Sequence, residues 1–381
     1  MHASPCATDS QLGMSFWKWL PRGGLAVLLW VLVGLPAIAL EMRVAIREGD
    51  SQVVVGTSNT GMIRDQQGQQ IAQVPQGRSL TITAQGPQLK AADSVSSSFW
   101  VEPGPDGFVF IGERWYRGRV LVMSDGSGVT AINYVDLEHY LYSVVGGEMP
   151  TSWPLEALKA QAVAARTYAL HKRQQARSPH YDVGGTTTWQ VYRGLEEEAH
   201  STHAAVEGTR HQVLTYNGQL IEAVFHSSSG GHTENVEDIW SQPLPYLRGV
   251  QDYDAGAPVF EWSRTLTLDE FSRIMPDVGR IVRATPQRTT PRGRVQEIHM
   301  EGDRGARVMT GNDLRTALDL RSTLFSINIA GNSIQITGRG YGHGIGMSQW
   351  GANNMANQGY SYQQILGHYY QGAQLATIEE H

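Results

Sequence analysis

The segment from Leu155 to Gln174 constrains the fold most, because it combines helical periodicity with a run of alanines. Pro154 is suited to the first turn of a helix, and Ser152 is a candidate N-cap. At helical spacing, one face of this segment carries five apolar residues: Leu155, Leu158, Ala162, Ala165 and Ala169. Because alanine side chains are short, we expect a long helix that packs closely against a sheet.

Strand patterns lie on both sides of this helix. Residues 41 to about 135 alternate apolar and polar side chains between glycines and prolines, and residues 213–225 return to the same pattern around an Asn-Gly turn. Two further helices are predicted near residues 348–357 and 362–370. We therefore expect an α+β fold. It has a mixed, β-rich core with one long alanine-rich helix and C-terminal helices, preceded by a small all-β N-terminal region.

The first 39 residues have the pattern of a targeting segment. Lys18 and Arg22 precede an apolar run over residues 23–40, and Ala37-Ile38-Ala39 fits a small-x-small cleavage site. We expect a signal peptide over residues 1–39 and export to the periplasm or the cell wall. The apolar run is 18 residues long, so an uncleaved membrane anchor is the alternative. Such an anchor is the only contact with a membrane that we expect.

A cluster of turn residues over 103–107 indicates a boundary within the exported chain. We expect a β-rich N-terminal region over residues 40–113 and a larger catalytic domain over residues 114–376. No residue of the first region identifies a ligand, and every motif with chemical meaning follows residue 136.

Composition excludes several classes of protein. Cys6 is the only cysteine and lies in the targeting segment, so we expect no disulfide and no thiolate metal site in the exported chain. Without residues 1–39 the chain has 28 basic and 35 acidic residues, a net charge of −7. A basic patch is the usual feature of nucleic-acid binding, so we expect no nucleic-acid partner.

Glu148 is the first candidate for catalysis. It lies in Gly146-Gly147-Glu148-Met149-Pro150, between a predicted hydrophobic hairpin over Tyr140–Val145 and the long helix. A carboxyl group in an apolar bend can have a raised pKa and act as a general acid on a glycosidic oxygen. The alternative is an acid that is favoured by the dipole of the following helix, and this motif alone does not decide between them.

Two glycine-rich segments are candidates for ligand binding. His226–Glu234 contains three serines and two glycines, which can form a loop with exposed backbone N–H groups, although an ordinary turn has the same composition. Glycine occupies every second position from 338 to 346, and in an extended segment this would gather Arg339, Tyr341, His343 and Ile345 on one face. Close packing of strands is the alternative explanation for this second segment.

Histidines in these segments raise the question of a metal. His226, His232 and His343 lie near glycines, but the chain contains no His-Glu-x-x-His motif. The sequence therefore predicts neither a metal nor a cofactor.

Taken together, the motifs resemble the SpoIID/LytB family. The resemblance extends over about residues 115–375 and depends on ordered segments. These segments are 140–150 with Gly-Gly-Glu-Met-Pro, 153–168, Gln190–Gly194, 227–233, 320–325 and 338–352.

This resemblance implies a lytic transglycosylase that cleaves peptidoglycan glycan strands. The family's catalytic acid/base corresponds to Glu148, and the reaction would leave a 1,6-anhydro-N-acetylmuramic end because the sugar's own C6 hydroxyl is the nucleophile. One carboxylate then suffices, unlike in glycosidases that use two. By the same resemblance, seven residues are implied to line the glycan groove: Arg166, Ser227, Ser228, Ser229, Gly230, Tyr341 and His343.

One segment departs from the family. The resemblance implies that the sporulation proteins use a zinc site built from cysteine and histidine after the long helix. Residues 178–189 here contain no cysteine. We therefore predict no zinc, and a loop that is held by packing through Tyr181 and Trp189.

Two other functions remain open. Some members of the family are enhancers of a cell-wall amidase, and they share the Glu-Met-Pro motif, so the sequence does not separate an enzyme from an enhancer with an amidase partner. A secreted carbohydrate-binding scaffold is the third interpretation, against which Glu148 and both glycine-rich segments argue.

Overall fold

The fold is taken from a computed structural model that describes residues 40–378 apart from 125, 127, 187, 188 and 241. The predicted signal peptide over residues 1–39 lies outside the described residues. Among the described residues, no helix is both long enough and apolar enough to cross a membrane.

The first half of the described chain is a set of short strands followed by two helices. The strands are β1 (Glu41–Asp50), β2 (Gln52–Thr57), β3 (Gly61–Asp65), β4 (Gln70–Val74), β5 (Ser79–Gln85), β6 (Gln88–Ala91), β7 (Ser94–Ser96), β8 (Ser98–Glu102), β9 (Val109–Ile111), β10 (Arg114–Tyr116), β11 (Arg119–Ser124) and β12 (Val129–Asp136). The elements that follow are α1 (Leu137–Glu148), α2 (Leu155–Gln174) and β13 (Val183–Gly184).

Two sheets are built from these strands. One has the order β13-β1-β12-β11-β8-β3-β4 and the other has the order β10-β9-β2-β5-β6-β7. The boundary that the sequence predicts at residue 113 falls in the β9–β10 hairpin, where Ile111 pairs with Arg114. Strand β1 also pairs with β12, with Glu41 opposite Asp136. Residues 40–113 therefore share sheets and a core with residues 114–136 and do not form a separate module.

Helix α2 has the bounds that the alanine pattern predicts. Leu158, Ala162, Ala165 and Ala169 are buried, because short side chains let the helix lie deep in the core. Leu155 is 41% exposed and is not part of that face. The N-cap is Pro154, not Ser152, and no side chain caps this end.

Helix α1 replaces the hydrophobic hairpin that the sequence predicts over Tyr140–Val145. Asp136 caps it by accepting a hydrogen bond of 3.0 Å from the backbone N–H of His139. Eight of its twelve residues are buried, so a largely apolar run that looks like a strand is stabilised as a helix by tertiary packing.

The second half alternates short helices and small sheets. After a 3-10 helix at Gly194–Glu197, its helices are α3 (His200–Glu207), α4 (Val236–Ile239), α5 (Leu268–Ile274), α6 (Gly311–Ala317), α7 (Gln349–Asn357) and α8 (Tyr362–Tyr369). Its strands are β14 (Gln212–Tyr216), β15 (Gln219–Leu220), β16 (Phe225–His226), β17 (Glu261–Thr267), β18 (Ile281–Thr289), β19 (Val295–Gly302), β20 (Ala306–Thr310), β21 (Phe325–Ala330), β22 (Ser333–Arg339), β23 (Met347–Ser348) and β24 (Gln374–Thr377). They form the sheets β15-β14-β24, β16-β23, β17-β22-β21 and β18-β19-β20. The α+β class is confirmed.

The described residues form two hydrophobic cores. The larger one joins the N-terminal sheets to α1, α2, α7 and α8. The smaller one is built from β17 to β22 with α5 and α6, and includes Phe271, Ile298 and Leu314. The sequence predicts a single domain over residues 114–376 and gives no sign of this second core.

Candidate active site

Glu148 is the last residue of α1, several residues before α2 begins. Its carboxyl oxygens accept a hydrogen bond of 2.8 Å from the backbone N–H of Val191 and a longer one of 3.5 Å from the side-chain amide of Gln349. The side chain is half-buried, so it is neither sealed inside the protein nor free in water. Gln349 lies three residues after Gly346, the end of the second glycine-rich segment, and so connects the carboxyl to the chain that follows this segment.

Burial raises the pKa of the Glu148 carboxyl, and the hydrogen bonds from Val191 and Gln349 oppose this shift without cancelling it. The position in α1 acts in the same direction as burial, because the C-terminal end of a helix disfavours a negative charge. A favourable helix dipole therefore does not explain an acid at this place. The carboxyl can carry a proton at a higher pH than an exposed glutamate can.

Gly146 and Gly147 let a neighbouring loop approach the end of α1. A Cβ atom on Gly146 would lie 1.9 Å from the backbone oxygen of Glu197, and one on Gly147 would lie 2.9 Å from Cγ1 of Val191. Such distances exclude any larger side chain unless the loop moves. The two glycines thus hold Val191 where its N–H reaches Glu148.

Aromatic side chains occur close to Glu148 and to Gln349 along the chain, at Trp153 and Trp350. The rings of Trp153 and Trp350 meet edge to face at 4.7 Å, and both are half-buried. The ring of Tyr168 lies 6.3 Å from that of Phe225. Burial and, to a smaller extent, the negative charges of Glu222 and Glu148 raise the pKa of Tyr168 to about 12. Half-buried aromatic side chains such as Trp153 and Trp350 are suited to stacking on a sugar ring.

The first glycine-rich segment, His226–Glu234, is called the serine loop below. Two aspartates that the sequence did not single out accept hydrogen bonds from it. The hydroxyls of Ser228 and Ser229 donate to Asp254 and Asp252, each at 2.5 Å, and the N–H of Gly230 donates to Asp254 at 2.8 Å. Ser228 and Ser229 are fully buried. Their hydroxyls therefore support the loop and do not face a glycan, contrary to the prediction.

Ser227 and the aspartates have different surroundings. Ser227 is half-buried and its backbone oxygen accepts a hydrogen bond of 3.0 Å from the N–H of Trp350, so it lies next to the start of α7.

Burial, and the neighbouring charge of Asp252, raise the pKa of Asp254. The two buried carboxyl groups share a network with Tyr369, whose hydroxyl donates to Asp252 at 2.6 Å.

The second glycine-rich segment is a loop and not an extended strand. Strand β22 ends at Arg339, and Gly340, Gly342, Gly344 and Gly346 all have positive φ angles, which only glycine adopts readily. The predicted common face does not form, because Tyr341 is 45% exposed while Ile345 is buried. The loop pairs with the serine loop through two backbone hydrogen bonds between Ser228 and Tyr341, of 3.0 and 2.7 Å. The two glycine-rich segments are thus in contact.

His343 uses both ring nitrogens within the protein. Its Nε2 is 2.9 Å from the backbone oxygen of Phe225 and therefore carries the proton, while its Nδ1 accepts a hydrogen bond of 3.1 Å from the N–H of Ile345. Burial lowers the pKa of His343 to about 4. The ring is neutral at physiological pH and can offer a ligand only its faces and edges.

Comparison with known proteins decides the family. A family model described as stage II sporulation protein matches residues 125–216, which include Glu148 and Val191. The chain is 37% identical over 272 residues to the stage II sporulation protein D of Bacillus amyloliquefaciens, covering 65% of this chain and 76% of the relative. It belongs to the SpoIID/LytB family.

Two further relatives and a second family model extend this result. The stage II sporulation protein D of Bacillus subtilis is 34% identical over 65% of this chain and 77% of the relative. An amidase enhancer of the same organism is 32% identical over 62% of this chain, which spans 40% of that longer protein. A model described as a domain of unknown function matches residues 246–346 of this SpoIID/LytB member and covers its second core.

Arg166 does not line a groove in this SpoIID/LytB chain. Its guanidinium is fully buried and donates to both carboxyl oxygens of Glu138, at 2.8 and 2.5 Å. The remaining nitrogen donates to the backbone oxygen of Gln212 at 3.1 Å. The groove role predicted for Arg166 is wrong, because α2 directs this side chain into the core and Glu138 pairs with it.

Residues 178–189 do not fit the zinc site that the resemblance to sporulation proteins implies. Among the described residues, no group of three or more His, Cys, Asp or Glu side chains is placed to hold a metal ion. Asp182 instead pairs with Arg43 at 2.6 Å, and Tyr181 donates to Glu48 at 3.0 Å. Trp189 packs on Gly184, where a Cβ atom would lie 2.9 Å from its ring. The loop is thus tied to β1 by an ion pair as well as by packing.

Proposed function

We propose that this protein is a peptidoglycan lytic transglycosylase whose acid/base is Glu148. The observation that carries the proposal is a half-buried carboxyl with a raised pKa that stands without a charged neighbour. Among the described residues, the groups that shift its pKa are the uncharged Val191 and Gln349. Glycosidases with two carboxyl groups hold them about 5–10 Å apart, and a second carboxylate at that distance would also raise the pKa of Glu148.

A single carboxyl suffices when the nucleophile belongs to the substrate. Glu148 donates its proton to the glycosidic oxygen between N-acetylmuramic acid and N-acetylglucosamine as that bond breaks. The C6 hydroxyl of the muramic sugar then forms a bond to C1 of the same sugar and loses its proton to the Glu148 carboxylate. The products are a 1,6-anhydro end and a free N-acetylglucosamine hydroxyl, and the carboxyl returns to its starting state.

The relatives support a place at the cell envelope. Two of them are named stage II sporulation protein D and one is named amidase enhancer. We propose that the chain is exported through residues 1–39 and acts on glycan strands of the wall. The amidase-enhancer relative favours one alternative, in which this chain binds glycan without cleaving it and stimulates a cell-wall amidase.

The test is digestion of purified glycan strands, with and without stem peptides, followed by mass spectrometry. We expect 1,6-anhydro ends from the wild type and a loss of about 10²–10⁴-fold in rate from Glu148→Gln, the usual contribution of a general acid. Glu113→Gln is the matched control, since the Glu113 side chain is 75% exposed and its carboxylate pairs with Arg47. No cleavage by the wild type, together with a raised amidase rate, would establish the enhancer instead.

A further inference from the structure

A cavity of about 540 Å³ opens beside His343 and is lined by parts of both cores. Trp240 at the end of α4 forms one wall, and Arg315 in the last turn of α6 forms another. Arg288, Glu237 and Asp238 complete its charged lining. The cavity therefore combines a sugar-sized volume with aromatic and ionic groups.

Arg315 differs from the other ionic groups of the cavity because it has no carboxylate partner among the described residues. It is half-buried, and its Nε donates to the backbone oxygen of Leu320 at 3.2 Å, which leaves its two terminal nitrogens available. Burial lowers the pKa of this guanidinium, and Tyr341 opposes the shift. A half-buried cation without a counter-ion favours the entry of an anion.

The glutamate and the other arginine of the lining are already paired. Arg248 pairs with Glu237, and Arg288 pairs with Glu297 at 3.0 Å. The carboxylate of Asp238 accepts a hydrogen bond of 3.0 Å from the side chain of Asn235. Arg315 is thus the group of this lining that is free to bind a ligand carboxylate.

Two aromatic rings, those of Trp240 and His343, line the same cavity as Arg315. Trp240 is 39% exposed, and its ring lies 5.4 Å from that of His343. Both nitrogens of His343 are bonded within the protein, so its ring can offer the cavity only its faces and edges. Because Trp240 and Arg315 line the same cavity, a ligand there can pack on an aromatic ring and form a charge-assisted hydrogen bond with a guanidinium.

We propose that Arg315 and Trp240 form a subsite for a carboxylate carried next to a sugar ring. The inference rests on the proposed function, because it takes the ligand to be a wall glycan. Contacts link this subsite to the candidate catalytic residue. His343 donates to the backbone of Phe225, whose ring packs on Tyr168, and the charge of Glu148 contributes to the pKa of Tyr168.

Calorimetric titration of the full chain, in a Glu148→Gln background that prevents turnover, tests the subsite. The ligands are a muramic tetrasaccharide with free lactyl carboxylates, its lactyl amide, the peptide-bearing form with a terminal peptide carboxylate, and chitotetraose. We expect the free acid to bind about tenfold more tightly than the amide, as for a charge-assisted hydrogen bond. Arg315→Gln should remove this preference and leave the affinity for chitotetraose unchanged.

Arg288→Gln is the matched control, because it removes the same charge from the same cavity but from a residue that is already paired. It should keep the preference for the acid. If the peptide-bearing form, and not the lactyl acid, depends on Arg315, the carboxylate comes from the stem peptide and the subsite stands. Equal affinity of the acid, the amide and the peptide-bearing form in the parent, or equal effects of the two arginine variants, would overturn it. Because binding is measured without cleavage, a failure of the proposed reaction would show separately, in the glycan digestion.

Discussion

The Glu148 carboxyl keeps its proton to a higher pH than a free glutamate, because burial outweighs the two hydrogen bonds that it accepts. An acid that must be protonated at the start of each cycle loses activity as the pH rises through its pKa. Removing a hydrogen bond that stabilises the anion raises this pKa further. In the proposed reaction, the alkaline limb of the pH–rate profile therefore depends on the surroundings of this one side chain.

Gln349→Leu tests that relation. The substitution removes the amide that donates to Glu148, so we expect the alkaline limb of kcat/KM to move to higher pH, by less than about one pH unit for a hydrogen bond as long as 3.5 Å. Gln363→Leu, at an exposed position of α8, should leave the profile in place. A limb that stays where it is, or moves to lower pH, would contradict the assignment of Glu148 as the acid.

Helices α1 and α2 show what the sequence can predict at the level of an element. The approximate bounds of α2, although not its N-cap, could be predicted because alanine periodicity, Pro154 and the basic residues at its end agree. Helix α1 could not, because Tyr140–Val145 is rich in residues that favour strands and its helical state depends on burial. The hydrogen-bond partners of Glu148 could not be predicted either, because Val191 and Gln349 are 43 and 201 residues away along the chain.

Gly147→Ala tests the contact between the end of α1 and the loop that carries Val191. The new Cβ atom would lie 2.9 Å from both the side chain and the backbone oxygen of Val191, so we expect the loop to move and a cost of about 1–3 kcal/mol in the free energy of unfolding. Displacement of the Val191 N–H should also lower kcat.

Gly367→Ala is the control for helix propensity. Gly367 lies within α8 with no atom near its Cβ position, so this substitution should stabilise the protein by about 0.5–1 kcal/mol. Urea unfolding and glycan cleavage measure the two effects. Equal behaviour of the two variants would mean that the loop does not press on Gly147.

At the scale of the whole molecule, hydrogen bonds connect the region of the smaller core to Ser229 and Glu234. Arg294, from the smaller core, donates to the backbone oxygen of Ser229 at 2.7 Å, and Thr290 donates to Glu234 at 2.8 Å. Sequence patterns could indicate the α+β class and the motifs, but not this arrangement. Periodicity reports which face of an element is buried, and it does not report which core buries that face.

Phe271→Ala tests whether the smaller core supports the serine loop. Phe271 is 1% exposed in α5, and its truncation should cost about 3–5 kcal/mol. Because Arg294 and Thr290 connect that core to the loop, we expect faster hydrogen exchange at the amides of Gly230 and Gly231, which donate to Asp254.

Leu89→Ala makes a comparable cavity in β6 of the larger core and provides the comparison. It should speed exchange near its own sheet and leave the two glycine amides protected. If both variants expose these amides equally, the molecule opens as one unit and the loop has no special dependence on the smaller core. Faster exchange at the two glycine amides in Phe271→Ala alone would mean that the region around residues 246–346 controls the rigidity of the serine loop. Because this loop contacts Tyr341, the same region would then influence the shape of the proposed glycan groove.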